Sequence, residues 1–141
     1  TLEKKGIITK DEFIAATFAQ HYRTLEEFRK PFDDPNSIVS KSGLRLKSCL
    51  TKLTDCPYKI EYEKNKNSMT SQDYAKKLIP TMRSWSETVF KTALSGRHNQ
   101  SEINDIVDQF YNLYQDEIAS DPKGHAMDYI HIIMDIEKVK T

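Results

Sequence analysis

The chain has few of the residues that build the commonest nucleotide and metal sites. Its four glycines are scattered, so it contains no glycine-rich phosphate-binding loop, and no cysteines or histidines have the spacing of a metal site. Two cysteines provide no disulfide framework. No apolar run is long enough to span a bilayer, and no stretch has the pattern of a signal peptide. These absences favour a reduced, cytoplasmic setting without a membrane partner.

An excess of one charge is also missing. The chain of 141 residues has 21 Lys and Arg against 21 Asp and Glu, so its formal net charge is zero although 30% of its residues are charged. Nucleic-acid-binding domains normally carry a basic excess or a basic face. The balance therefore argues against a nucleic-acid partner.

What the chain does contain is an almost unbroken apolar segment near its end, residues 129–137, rich in β-branched side chains. A strand without alternation is typical of an inner strand that is covered on both faces. One other segment, residues 44–53, alternates apolar and polar side chains as a strand does. We therefore expect the C-terminal portion of a larger protein. The free edge of the final strand is expected to produce a homodimer or a strand-exchanged oligomer.

The remainder is predicted to be mostly helical. Helix starts are marked by a capping residue with an acid three positions later, at Thr9 with Glu12, Thr24 with Glu27, Thr70 with Asp73 and Asn99 with Glu102. Pro80 is expected to break or kink the helix that begins near Thr70. The polar residues 59–70 are expected to form a loop.

The best candidate for a binding site is the pair Met82 and Trp85, one helical turn apart after Pro80. A thioether beside the only indole of the chain makes a flat apolar wall suited to an aromatic ligand, and plain core packing is the alternative. Tyr22, between the first two predicted helices, is open to the same two interpretations. Arg83, one turn before Glu87, is expected to form a surface ion pair with it. No catalytic residue is predicted.

Several segments, in this order along the chain, resemble the SABATH group of S-adenosylmethionine-dependent carboxyl methyltransferases. They are Gly6-Ile7-Ile8-Thr9, Tyr22-Arg23-Thr24-Leu25-Glu26-Glu27-Phe28, Met82-Arg83-Ser84-Trp85-Ser86-Glu87, Phe110 with Tyr114, and the final strand from Ile132 to Lys138. The resemblance covers nearly the whole chain. It departs at Ala19, where many members have proline, and this leaves the loop path before Tyr22 open.

The resemblance implies an α+β fragment of an α/β methyltransferase fold, mostly helical with two antiparallel strands at about residues 44–53 and 129–137. Residues 1–141 would form a single unit, made of cap helices and the last two sheet strands. The N-terminal half that binds S-adenosylmethionine would be missing, so no cofactor is expected to bind this fragment alone. Met82 and Trp85 match pocket positions of the family, and with Tyr22 they are the predicted substrate-binding residues.

The resemblance also implies a reaction for the parent protein. A small-molecule carboxylate, or in one branch a ring nitrogen, attacks the sulfonium methyl group in line and needs no general base. The fragment by itself would be inactive and would contribute apolar walls that select the substrate. The alternative function is a self-contained helical protein-interaction domain, whose aromatic stripe of Phe110, Tyr111 and Tyr114 packs on a partner.

Overall fold

A computed structural model describes residues 2–139 of the chain. The elements are α1 (Lys10–Ala15), α2 (Leu25–Asp33), α3 (Ile38–Lys41), β1 (Leu44–Thr54), α4 (Pro57–Lys64), α5 (Ser71–Leu94), α6 (Gln100–Ser120) and β2 (Tyr129–Lys138). They divide into two compact units. The first contains the residues up to Ala19 together with Cys56–Met127, and the second contains Gln20–Asp55 and the residues from Asp128 onward. The prediction that residues 1–141 act as a single unit stays a prediction.

The first unit packs α1, α4, α5 and α6 around an apolar core. The predicted capping boxes that begin α1, α5 and α6 are all present, so each helix starts where the sequence places it. The core is formed by side chains from the first residues, from the start of α4 and from the facing sides of α5 and α6. Its largest fully buried members are Tyr74, Leu78, Val107, Ile118 and Cys56.

Pro80 lies inside α5, which continues from Ser71 to Leu94, so the predicted break of the helix is wrong, and the kink stays a prediction. Proline removes one backbone donor and crowds the preceding turn, a cost of about 3 kcal/mol in a helix interior. Apolar burial on both sides of Pro80, by Leu78 and Ile79 before it and Leu94 beyond it, offsets this cost. Tertiary packing therefore overrides the local signal.

The loop predicted for residues 59–70 is wrong in its first half, because α4 extends to Lys64. Pro57 stands in the first turn of α4, where a helix needs no backbone donor. The ring of Tyr62 stacks on the buried ring of Tyr74, with centroids 5.0 Å apart. This aromatic contact stabilises a helix whose polar composition gave no periodic signal.

The second unit contains α2, α3 and an antiparallel pair of strands, β1 and β2. Both strands were predicted, and the mostly helical chain with two antiparallel strands is confirmed as α+β. The register pairs Leu53 with Ile130 and Leu50 with Ile133, and it shifts between Leu46 and Ser48. Among residues 2–139 the sheet has these two strands, so each strand has one edge without a neighbouring strand.

The apolar side chains of β2 are exposed on both faces of the sheet. Ile130 is 75% exposed on one face and Ile133 is 46% exposed on the other, and their cross-strand partners are exposed as well. Ile132 and Met134 are partly buried, so the described residues supply only part of the cover that the sequence predicted for both faces. Every buried hydrophobic residue of the described chain belongs to the first unit, so the second unit has no apolar core there.

Candidate functional site

Met82 and Trp85 lie one turn apart on α5, in the first unit. The side chain of Met82 is partly buried and packs against the core. The indole of Trp85 is 45% exposed, and its ring meets the ring of Phe18 edge-on at a centroid distance of 5.3 Å. In this pair the thioether of Met82 faces the core and the indole of Trp85 lies at the surface. We call the two side chains the Met82–Trp85 ridge. Contact of either residue with a substrate stays a prediction.

Tyr22 belongs to the second unit. Its side chain is 83% exposed, and its hydroxyl donates a hydrogen bond to the side-chain oxygen of Gln20. An exposed phenol with a local partner is free to contact a ligand or another part of the protein. The predicted role of Tyr22 in substrate binding stays a prediction.

A buried pair of hydroxyls lies directly behind this ridge. Ser86 Oγ donates to the carbonyl oxygen of Met82 at 2.6 Å and lies 2.7 Å from the hydroxyl of Tyr111 on α6. Since the single proton of Ser86 is used on Met82, Tyr111 is the donor in the second bond. Burial raises the pKa of Tyr111. This bond holds α5 and α6 at the level of Met82 and keeps Tyr111 inside the first unit.

The predicted ion pair between Arg83 and Glu87 is present, and it is part of a larger network. The Arg83 guanidinium also lies 2.6 Å from a carboxylate oxygen of Asp108 and 5.0 Å from the centre of the Tyr111 ring. The Arg83 side chain, followed by Lys91, lowers the pKa of Glu87 to about 2. Each charge in the network is matched by an opposite charge, so the network is structural.

A second cluster of charged side chains, around Glu12, was not predicted from the sequence. The guanidinium of Arg97 binds both carboxylate oxygens of Glu12, which is almost fully buried. The imidazole of His98 lies 3.2 Å from the same carboxylate. Glu12 was visible only as the acid of a capping box, because its partners lie more than 80 positions further along the chain.

The structure also reveals a cavity that the sequence did not indicate. It lies in the first unit between α1, α5 and α6 and has a volume of about 600 Å³. Its aromatic lining is formed by Phe13, Phe18, Phe90, Phe110 and Tyr114. The helical stripe identified Phe110 and Tyr114, but Phe13 and Phe18 come from a segment without periodicity. Met82 and Trp85 do not line this cavity.

Among the residues that the structure describes, no group of three or more His, Cys, Asp or Glu side chains is placed to bind a metal ion. Neither Cys49 nor Cys56 forms a disulfide bond within residues 2–139, and Cys56 is completely buried at the start of α4. Between residues 2 and 139, no helix combines the length and the apolar character needed to cross a bilayer.

Comparison of the chain with models of known protein families and with characterised proteins finds no match.

Proposed function

We propose that this chain is the C-terminal, substrate-cap part of an S-adenosylmethionine-dependent methyltransferase of the SABATH type. The parent protein would methylate a small-molecule carboxylate or ring nitrogen, and the chain alone would be inactive. The proposal places the protein in the cytoplasm, where cysteines such as Cys49 and Cys56, which form no disulfide within residues 2–139, are the rule.

The observation that carries the proposal is the second unit, whose two strands are only partly covered by the described residues. A folded sheet buries at least one face against another layer. Here Ile130 and Ile133 leave both faces of β2 apolar and exposed, and no hydrophobic residue of this unit is buried among the described residues. Such a pair of strands is suited to completing a wider sheet that has helices on both sides.

The described residues do not fit the cofactor. Nucleotide-type cofactors bind at a strand-to-helix turn in which glycines let the backbone approach the ligand. The turn from β1 into α4 consists of Asp55 and Cys56 before Pro57, and the glycines lie elsewhere. The proposal therefore assigns the cofactor to another part of the parent protein.

The contribution of this chain to the reaction is an apolar wall. A carboxylate is already ionised at neutral pH, so the protein has to position it and exclude water rather than remove a proton. The half-exposed indole of Trp85 beside the thioether of Met82 provides a flat surface for an aromatic or aliphatic acid. The ring of Phe18 contacts the indole edge-on.

The test begins with the coding sequence that precedes Thr1, expressed together with this chain. The proposal expects a glycine-rich strand–turn–helix there and transfer of a radiolabelled methyl group from S-adenosylmethionine to one member of a panel of carboxylic acids and xanthines. The 141-residue chain by itself serves as the control and is expected to give no transfer. An upstream region without that motif, or a complete protein that does not bind S-adenosylmethionine in calorimetry, would refute the proposal.

The alternative, a self-contained helical interaction domain, predicts a different outcome in the same experiment. Its aromatic stripe would need to face a partner, yet Tyr111 is buried and bonded to Ser86. A chain that stays monomeric, unfolds cooperatively and has no upstream methyltransferase region would support this alternative.

A further inference from the structure

The cavity between α1, α5 and α6 is separate from the Met82–Trp85 ridge, and no function assigned above uses it. Phe18 stands between the two, because its ring lies against Trp85 on one side and Phe90 on the other, at centroid distances of 5.3 and 5.6 Å. Phe90 in turn contacts Phe110 at 4.7 Å. These rings form a continuous aromatic wall along one side of the cavity.

The size of the cavity indicates a small molecule. Its volume of about 600 Å³ lies within the range of roughly 300–1,000 Å³ that is typical of ligand pockets. The cavity is open to solvent on one side, where the lining residues Phe13 and Leu113 are about half-exposed, so a ligand can enter it and bury apolar surface there. An apolar space of this size in a helical unit is therefore a candidate for occupation by a ligand.

The charges around the cavity exclude an anionic ligand. The carboxylate of Glu12 is already bound by Arg97 and by Thr9. The other charged lining residues, Glu3, Lys5 and Glu117, are exposed and carry two negative charges and one positive charge. These rim charges sum to one negative charge. The cost of removing water from a bound anion would therefore not be offset by a pair of cationic side chains.

Tyr114 supplies the polar contact that a ligand can use. Its side chain lines the cavity and is partly buried, and its hydroxyl makes no hydrogen bond to any residue between 2 and 139. The hydroxyl is accessible to water, so a ligand that bonds to it would replace a water molecule. The hydroxyl can donate to, or accept from, a single polar group on a ligand.

From these observations we propose that the cavity binds a neutral, mainly hydrocarbon molecule of about two to three fused or linked rings that carries a single hydrogen-bonding group. None of Met82, Trp85 and Tyr22 lines the cavity, so the site is distinct from the proposed substrate wall, although Phe18 lines the cavity and also contacts Trp85.

The test uses two fluorescent probes with the same ring system and different charge. N-phenyl-1-naphthylamine is neutral, and 8-anilino-1-naphthalenesulfonate adds one sulfonate. The expected result with the 141-residue chain is saturable binding of the neutral probe at one site, with a Kd roughly tenfold or more below that of the sulfonate. Equal affinities, or a sulfonate that binds more tightly, would overturn the proposal.

Neighbouring alanines provide a matched pair of variants. Ala16 lines the cavity, whereas the adjacent Ala15 is exposed and does not. Ala16→Phe is expected to fill the space and weaken the neutral probe about tenfold or more, while Ala15→Phe leaves its Kd unchanged. Leu113→Trp, at a half-exposed lining position, is a second filling variant that does not depend on α1. Probe binding that survives both filling variants in folded protein would overturn the proposal.

Discussion

The carboxylate of Glu12 and the guanidinium of Arg97 form a two-point ion pair between residues 85 positions apart. Arg97 Nε lies 2.9 Å from Glu12 Oε1, and Arg97 Nη2 lies 2.8 Å from Oε2. Parallel N–H···O bonds of this kind are stronger than a single contact and fix the orientation of both groups. The Arg97 side chain lowers the pKa of Glu12 to about 2, against the usual 4.5. The pair ties α1 to the turn between α5 and α6.

The first prediction concerns the pH dependence of stability. Because the pKa of Glu12 is lowered in the folded state, the stability it contributes is present above about pH 4.5 and is lost as the pH falls toward 2. Glu12→Gln, which keeps the capping contact to Thr9, is expected to lower the free energy of unfolding at pH 7 by about 1 to 2 kcal/mol, given that Arg97 is half-exposed.

Urea denaturation of the wild type and of Glu12→Gln at a series of pH values measures this difference. The difference in the free energy of unfolding between the two proteins should disappear as the pH falls from 4.5 to 2. Asp116→Asn, on an exposed part of α6, is the control and should leave the free energy of unfolding nearly unchanged. A difference that does not vary with pH would contradict the assignment of the pKa shift to this pair.

The second prediction concerns the buried hydroxyls of Ser86 and Tyr111. Ser86→Ala leaves the Tyr111 hydroxyl buried without its acceptor, at a cost of about 1 to 3 kcal/mol in the free energy of unfolding. Tyr111→Phe removes the donor but leaves Ser86 bonded to the carbonyl of Met82, so it should cost about 1 kcal/mol. Ser84→Ala, on the exposed side of α5, is the control.

Chemical denaturation of the wild type, the two single variants and the double variant gives a double-mutant cycle for this hydrogen bond. The double variant is expected to be more stable than the sum of the single effects predicts, since it leaves no unsatisfied hydroxyl. Strictly additive effects would show that the bond does not form in solution.

The third prediction follows from the proposed function and concerns Trp85 in the proposed full-length methyltransferase. Trp85→Ala should change the ratio of kcat/KM between competing carboxylic acids by about tenfold, while the Kd for S-adenosylmethionine stays the same. The reason is that the indole is half-exposed on the cap and the cofactor is assigned elsewhere. Thr88→Ala, exposed on the next turn, is the control. Equal losses of selectivity and of cofactor affinity would make Trp85 a structural residue.

The fourth prediction concerns self-association of the isolated chain. The exposed apolar faces and free edges of β1 and β2 should drive it to a homodimer or a strand-exchanged oligomer. Light scattering over a range of protein concentration is expected to show a mass rising above that of the monomer. Ile130→Lys should return the chain to a monomer, whereas Ile38→Lys, equally exposed but outside the sheet, should not. A wild-type chain that is monomeric throughout would contradict this.

Local chemistry, which depends on residues three or four positions apart, could be predicted from the sequence. The capping pairs placed the starts of the helices, and the apolar run placed β2, because each signal lies within one segment. The turn of helix that separates Met82 from Trp85 was predictable for the same reason.

Only the tertiary structure decided the features that depend on contacts between distant segments. Packing of Tyr62 on Tyr74 turned an expected loop into α4, and burial beside Pro80 kept α5 continuous. The ion pair of Glu12 with Arg97 and the cavity behind Phe18 join residues that are far apart in the chain. The sequence pattern shows which face of a helix is apolar, but it does not show which residues that face contacts. Those contacts supply much of the stabilising energy.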